Sequence, residues 1–129
     1  MGPYQNLTVW QKAMVLAKDV YSVTANYPKS ETFGLVNQMR RCVVSIPSNI
    51  AEGYGRGTNK DLLHFLYISL GSSNELETQL LLSREFTYLS DDDASMLLQQ
   101  NEQVNKMLSS LIYKRTESDN GNITSKPET

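Results

Sequence analysis

The sequence has one cysteine, one histidine, four prolines and seven glycines in 129 residues. The single cysteine, Cys42, excludes an internal disulfide and any zinc site built from several thiolates, and it fits a reducing cytoplasm. The single histidine, His64, excludes sites that need two imidazoles from one chain. The longest purely aliphatic run is Leu80–Leu82, so we expect no membrane-spanning segment, and the N-terminus shows no secretory signal. These scarcities predict a cytoplasmic protein without a metal or cofactor.

Helix-breaking residues are rare over much of the chain. Between Lys60 and Arg115 there is one glycine, Gly71, and no proline. Strands need a turn every several residues, so a stretch this long without breakers favours helices. A length of 129 residues fits one domain.

Apolar residues recur at spacings of three and four in four segments, which is the period of a helix face that packs in a bundle. In the first segment the predicted core stripe is Trp10, Met14, Ala17, Tyr21 and Thr24. In the second it is Val36, Met39, Val43, Ile46 and Ile50. In the third it is Leu62, Leu66, Ser69, Ser73, Leu76 and Leu80, and in the fourth Leu97, Asn101, Val104, Leu108 and Leu111.

Capping residues and breakers predict the ends of these helices. Asn6 or Thr8 is expected to cap the first helix, which should end near residues 26–28. Ser30 is expected to cap the second, with Glu31 favourably placed against the helix dipole.

The later boundaries follow in the same way. The glycine-rich segment 53–57 ends the second helix, and Thr58 begins a capping box for the third, which should run to about Leu89. Ser90 begins the fourth helix, which should run to about Arg115.

Four helices with short connections predict an all-α fold, an antiparallel up-down-up-down four-helix bundle over residues 1–115. Residues 116–129 are predicted to form a disordered tail because they are almost entirely polar. Pro47 interrupts the second helix pattern and predicts a kink, since the carbonyl of Val43 loses its amide partner. The kink could wrap the helix around the core or shape a binding surface, and both interpretations stay open.

No group of residues in the sequence indicates catalysis. Asp61 and His64 have the spacing of a di-iron ligand pair, but a second such motif is missing. Cys42 is expected to be a small buried residue. The Gly53-x-Gly55-x-Gly57 segment follows a helix and lacks the Lys-Ser/Thr of a P-loop, so we expect a helix end and a loop there. We therefore expect no enzyme activity.

The net charge of -2 conceals two halves of opposite sign. Residues 1–60 carry a local charge of +4, residues 61–115 carry -4 and the tail adds -2. The first interpretation is a solvated surface, or bipolar surfaces that pair between subunits. The second is a basic surface on the first two helices that binds phosphates. For that surface the candidate nucleic-acid-binding residues are Arg40, Arg41, Arg56, Lys60 and Lys12.

The third helix carries more apolar residues than one stripe requires. This excess predicts a second buried face, which we expect to be a subunit interface. The additional residues are Leu63, Phe65, Tyr67, Ile68, Leu70, Leu81 and Leu82.

The segment Phe33–Arg56, with Ser-Ile-Pro-Ser-Asn-Ile-Ala-Glu-Gly at 45–53, resembles the bacterial "four helix bundle protein" family. This family is also called the 23S rRNA intervening-sequence protein family. The resemblance covers roughly residues 7–113 and extends to Trp10–Met14, Phe65–Ser73 and Asn74–Leu80.

The resemblance implies a homopentameric barrel of antiparallel four-helix bundles without enzymatic activity. Some relatives are encoded inside insertions in 23S rRNA genes. Others are accessory variability proteins of diversity-generating retroelements, which bind a reverse transcriptase and nucleic acid through a basic surface. The basic positions of the family correspond to Arg40, Arg41 and Arg56. We therefore expect a ring-like oligomeric scaffold that binds RNA, DNA or a reverse transcriptase. The alternative is a protein–protein adapter whose arginines form structural or inter-subunit salt bridges.

Overall fold

The computed structural model describes residues 3–119, which contain helices and no strand. The all-α prediction is therefore confirmed for this part of the chain. The α-helices are α1 (Thr8–Thr24), α2 (Leu35–Tyr54), α3 (Asn59–Glu85) and α4 (Asp91–Asp119), and two short 3-10 helices span Pro3–Asn6 and Lys29–Glu31. Helix α4 continues four residues beyond its predicted end at Arg115. The rest of the predicted tail lies outside the described residues.

Each helix packs against two neighbours. The contacting pairs are α1 with α2, α2 with α3, α3 with α4, and α1 with α4. The diagonal pairs do not approach each other as closely anywhere in residues 3–119. The four helices therefore enclose a single core, as in a bundle.

The predicted core stripes of α2 and α3 are buried throughout, and that of α4 is buried except at Leu111, which is half-buried. Helix α1 differs, because its core residues are Val9, Ala13, Leu16, Val20 and Thr24. The predicted stripe is wrong by one residue over most of its length: Met14 and Tyr21 are 46% and 43% exposed. Helix α1 thus has two adjacent apolar stripes: one is buried, and the other lies at the edge of the core, with Trp10 and Ala17 half-buried against it.

The starts of α1 and α2 also differ from the prediction. The position before α1 forms no side-chain cap, so the caps predicted at Asn6 or Thr8 are wrong. Ser30 lies in a 3-10 helix, and α2 begins only at Leu35. The Leu35 amide donates to Glu31 Oε1 at 3.2 Å, so a carboxylate satisfies the start of α2.

The caps predicted for the other two helices are confirmed. Thr58 Oγ1 accepts a hydrogen bond from the Asp61 amide at 3.2 Å, at the start of α3. Ser90 Oγ accepts one from the Asp93 amide at 3.1 Å, at the start of α4. In both cases a hydroxyl satisfies an amide three residues later, which the sequence spacing alone predicts.

Helix α3 ends at Glu85, earlier than the predicted Leu89. Thr87 follows with a φ of 60°, and the Tyr88 amide donates back to the Ser83 carbonyl at 2.9 Å. This is the hydrogen-bond pattern of a Schellman motif, whose left-handed position usually holds glycine. A threonine there gives no sequence signal for the end of a helix.

Pro47 is buried within a continuous α2. The carbonyls just before it receive side-chain donors. Asn49 Nδ2 donates to the Ser45 carbonyl, and Ser69 Oγ of α3 donates to the Ile46 carbonyl, both at 2.8 Å. Polar side chains therefore bind carbonyls adjacent to Pro47, whereas the carbonyl that loses its amide partner to the proline is that of Val43.

Candidate binding surfaces

Arg40 is bound to the end of α1. Its Nε donates to Thr24 Oγ1 at 3.0 Å, and its Nη2 donates to the Tyr21 carbonyl at 3.2 Å. The guanidinium also lies 4.5 Å from the centre of the Tyr21 ring. A cation that satisfies a carbonyl near a helix C-terminus stabilises that helix. This geometry supports a structural role, the alternative considered above.

Arg41 is exposed beside a polar cavity of about 370 Å³ between α2 and α3. Cys42 lies in the same cavity and is buried, as predicted. Its thiol donates to the Ser72 carbonyl at 2.9 Å. Burial, together with the charge of Glu75, raises the pKa of the Cys42 thiol to about 12. The thiol is therefore held protonated and is a poor nucleophile.

Lys12 lies on the opposite side of α1 from Arg40. Its Nζ donates to Gln103 Oε1 of α4 at 3.2 Å. A second polar contact joins the same two helices, since Gln100 Nε2 donates to Asp19 Oδ2 at 3.0 Å. Lys12 thus belongs to the contact between α1 and α4.

Arg56 and Lys60 are near each other at one end of the bundle. Arg56 Nε is 3.5 Å from Glu52 Oε2, and the Arg56 guanidinium lies 5.0 Å from the Phe65 ring centre. A cavity of about 220 Å³ at the start of α3 is lined by Arg56 and by Arg115 of α4. No signal in the sequence singles out Arg115, because its proximity to Arg56 depends on how α4 packs.

The structure therefore distributes the five candidate residues over several surfaces. Arg40 contacts α1, Arg41 lines the α2–α3 cavity and Lys12 contacts α4. Arg56 lines one cavity together with Arg115, and Lys60 lies in the first turn of α3 at the same end of the bundle.

The spacing of Asp61 and His64 creates no metal site in this structure. Within residues 3–119, no three or more His, Cys, Asp or Glu side chains are arranged to hold a metal ion. The His64 ring instead packs edge-on against the Phe65 ring, with centroids 5.1 Å apart. No helix in the described part of the chain is both long and apolar enough to span a membrane.

Helix α3 exposes four large apolar side chains, Tyr67, Ile68, Leu81 and Leu82, which we call the α3 patch. Their exposed fractions lie between 38% and 56%. The two pairs are fourteen residues apart, close to four full turns, so both pairs lie on the same side of the helix. The other additional apolar residues of α3 are half-buried within the single chain.

A second apolar surface, the α1–α2 groove, encloses about 350 Å³. Helix α1 contributes the stripe that the sequence analysis assigned to the core, including Trp10 and Met14. Helix α2 contributes Val44 and Pro47. The remaining residues that line the groove are Tyr4, Ala17, Ser48 and Ala51.

Residues 5–110 match the family described as 23S rRNA-intervening sequence protein. A crystal structure of a protein of unknown function from the S23 ribosomal protein family of Bacteroides thetaiotaomicron is similar, with a TM-score of 0.74 and 26% sequence identity. The similarity covers 81% of this chain and 98% of that one. No curated protein matches the sequence.

Proposed function

The chain belongs to the 23S rRNA-intervening sequence protein family, and we propose that it is a non-catalytic scaffold that assembles from several copies into a ring. The α3 patch is the observation that carries this proposal. Its two apolar pairs lie about 21 Å apart along α3. Large apolar side chains exposed repeatedly on one helix face mark a candidate interaction surface. Burying these side chains against another copy stabilises the assembly by about 25 cal/mol for each Å² of apolar area removed from water.

Contacts between α3 and α4 support an antiparallel arrangement of these two helices within the subunit. Asn59, at the start of α3, donates to the carbonyl of Arg115, late in α4. Near the middle of both helices, Ser73 bonds to Asn101. Residue numbers thus rise along α3 as they fall along α4. The number of copies in the ring, five, remains a prediction from the family resemblance.

The proposal is tested by placing a charge in the α3 patch. Leu82→Lys should reduce the sedimenting particle to the mass of one chain, because burial of a lysine at the interface is unfavourable. The control is Gln99→Lys, which adds the same charge at an exposed residue of α4 outside the patch. It should keep the wild-type mass. Circular dichroism should show unchanged helicity in both variants. A Leu82→Lys protein that keeps the wild-type mass would remove the patch from the interface.

A second candidate function is nucleic-acid binding at the end of the bundle that carries Arg56, Lys60 and Arg115. The supporting observation is that Arg56 and Arg115 line one cavity at the start of α3, with Lys60 in the first turn of that helix beside the acidic Asp61. Glu52 partly offsets the charge of Arg56. An oligomer would present several copies of this basic end to one polyanion, which strengthens weak individual contacts.

This second function is tested by titrating single-stranded RNA and following fluorescence anisotropy over a range of salt concentrations. Replacement of Arg56 and Lys60 by Ala should weaken binding and lower the salt slope by about 1.4, which is 0.7 for each lost phosphate contact. The matched control replaces Lys12 and Arg41, which removes the same charge elsewhere. If both double variants lose the same affinity for RNA, the binding depends only on the net charge of the protein and not on this end of the bundle. The cytoplasmic location and a reverse-transcriptase partner remain predictions.

A further inference from the structure

We propose that the α1–α2 groove receives the α3 patch of a second copy, so that the copies join head to tail. This inference rests on the proposed self-assembly and supplies the other half of the interface. It also gives a role to Met14, the exposed apolar residue of the second α1 stripe in the groove, whereas Trp10 and Ala17 of that stripe already pack against the core.

The groove has an apolar lining that is open to solvent. Met14 and Val44 are 46% and 41% exposed, although both sit beside buried residues. Pro47 lies between the two helices and contributes a rigid apolar surface without an amide donor. Exposed apolar side chains on both walls match the apolar side chains that the α3 patch presents.

Basic residues border this groove. Lys18 follows Met14 by one turn on the same face of α1, and Arg40 precedes Val44 by one turn on α2, where its guanidinium contacts the end of α1. Helices α1 and α2 contain two carboxylates, and each is engaged elsewhere. Asp19 accepts a hydrogen bond from α4, and Glu52 lies beside the arginine at the far end of α2.

Acidic residues accompany the α3 patch. Glu85 follows Leu82 by one turn, and Glu75, which lies between the two apolar pairs along α3, is exposed at the edge of the α2–α3 cavity. Neither carboxylate forms an ion pair within the described residues. A patch with carboxylates therefore meets a groove with cations, which favours this pairing electrostatically.

The same charges disfavour symmetric contacts. Two α3 patches facing each other would bring carboxylates together, and two grooves would bring cations together. Head-to-tail pairing avoids both repulsions. A head-to-tail contact repeats from copy to copy, and it closes into a ring when the rotation between copies allows closure.

Met14→Glu tests the groove with a closely matched control. The substitution places a carboxylate in the apolar groove and should reduce the particle to the mass of one chain. The control is Val15→Glu, which makes the same change at an adjacent residue that is 53% exposed and does not line the groove. The control should keep the wild-type mass, with the same helicity by circular dichroism.

Mixing two variants tests the head-to-tail geometry itself. Met14→Glu chains retain an intact α3 patch, and Leu82→Lys chains retain an intact groove. An equimolar mixture should therefore form complexes of two or more chains by light scattering, although each variant alone has the mass of one chain.

The outcomes separate this inference from the proposed function. A wild-type particle with the mass of one chain would overturn the self-assembly itself. A multi-chain wild type with an unchanged Met14→Glu mass would overturn only the assignment of the groove, leaving it open to another partner. Two single-chain variants that form no complex when mixed would overturn the head-to-tail pairing.

Discussion

Ser73 and Asn101 form two hydrogen bonds with each other at the buried contact between α3 and α4. Ser73 Oγ donates to Asn101 Oδ1, and Asn101 Nδ2 donates to the Ser73 carbonyl, both at 2.9 Å. Asn105 Nδ2 also donates to Ser73 Oγ at 3.1 Å. Because a shift of either helix would leave these buried groups unpaired, the pair fixes the alignment of α3 against α4.

Asn101→Ala should lower the free energy of unfolding by about 1–3 kcal/mol, since the hydroxyl and carbonyl of Ser73 lose their buried partner. Denaturant unfolding at a fixed protein concentration measures this loss. Gln99→Ala on the exposed face of α4 is the control and should change the free energy by less than about 0.5 kcal/mol. Equal effects of the two substitutions would show that the buried pair contributes nothing specific.

Thr87→Gly should raise the thermal stability. Thr87 has a φ of 60°, a conformation that costs a β-branched residue roughly 1 kcal/mol and that glycine adopts without steric strain. Thr87→Ala separates the loss of the side chain from the relief of strain, and it should give a smaller gain. A melting temperature that falls for Thr87→Gly would contradict the assignment of strain at this turn.

Arg40→Ala should lower the free energy of unfolding by about 1–2 kcal/mol, because Thr24 and the Tyr21 carbonyl lose their donors. Arg41→Ala removes the same charge at the next, exposed residue and should have little effect on stability. A chemical denaturation series measures both. If Arg41→Ala is as destabilising as Arg40→Ala, the contacts of Arg40 with α1 are not what stabilises the bundle.

The Cys42 thiol should react slowly in the folded protein. Its pKa is raised to about 12 by burial, so almost no thiolate is present at about pH 8. The unfolded thiol ionises near its ordinary pKa of 9.0, so this group should lower folding stability as the pH rises from about 9 to about 12. Iodoacetamide labelling with and without denaturant measures the difference. Equal rates in the two states would contradict the burial of this thiol.

The stripes of α2 and α3 could be predicted from sequence because each helix has a single dominant apolar period. Helix α1 has two periods one residue apart, and spacing alone cannot show which one faces the core. The Val9 stripe is buried, whereas the Trp10 stripe lines the α1–α2 groove. The error in the predicted core of α1 therefore falls on a candidate interaction surface.

Capping residues in the sequence predicted the starts of α3 and α4 but not the start of α2. The caps at Thr58 and Ser90 depend on residues three positions away, so the sequence contains the whole interaction. Glu31 is held in place by Tyr88, whose hydroxyl donates to Glu31 Oε2 at 2.9 Å from the distant α3–α4 turn. Such a contact exists only after the helices pack.

The candidate site shows the same limit. The sequence shows that Arg40 is basic but not that Tyr21 and Thr24 engage it. It likewise contains Arg115 without showing that the bundle places this residue beside Arg56. Charge can be counted from a sequence, whereas the availability of a charge depends on packing.

The mass of the wild-type protein in solution tests the central claim most directly. Sedimentation velocity should be measured over a range of concentrations on the full chain. The scaffold account predicts a particle that is a multiple of the 14.6 kDa chain and that persists on dilution. A mass of one chain at all concentrations would contradict the account.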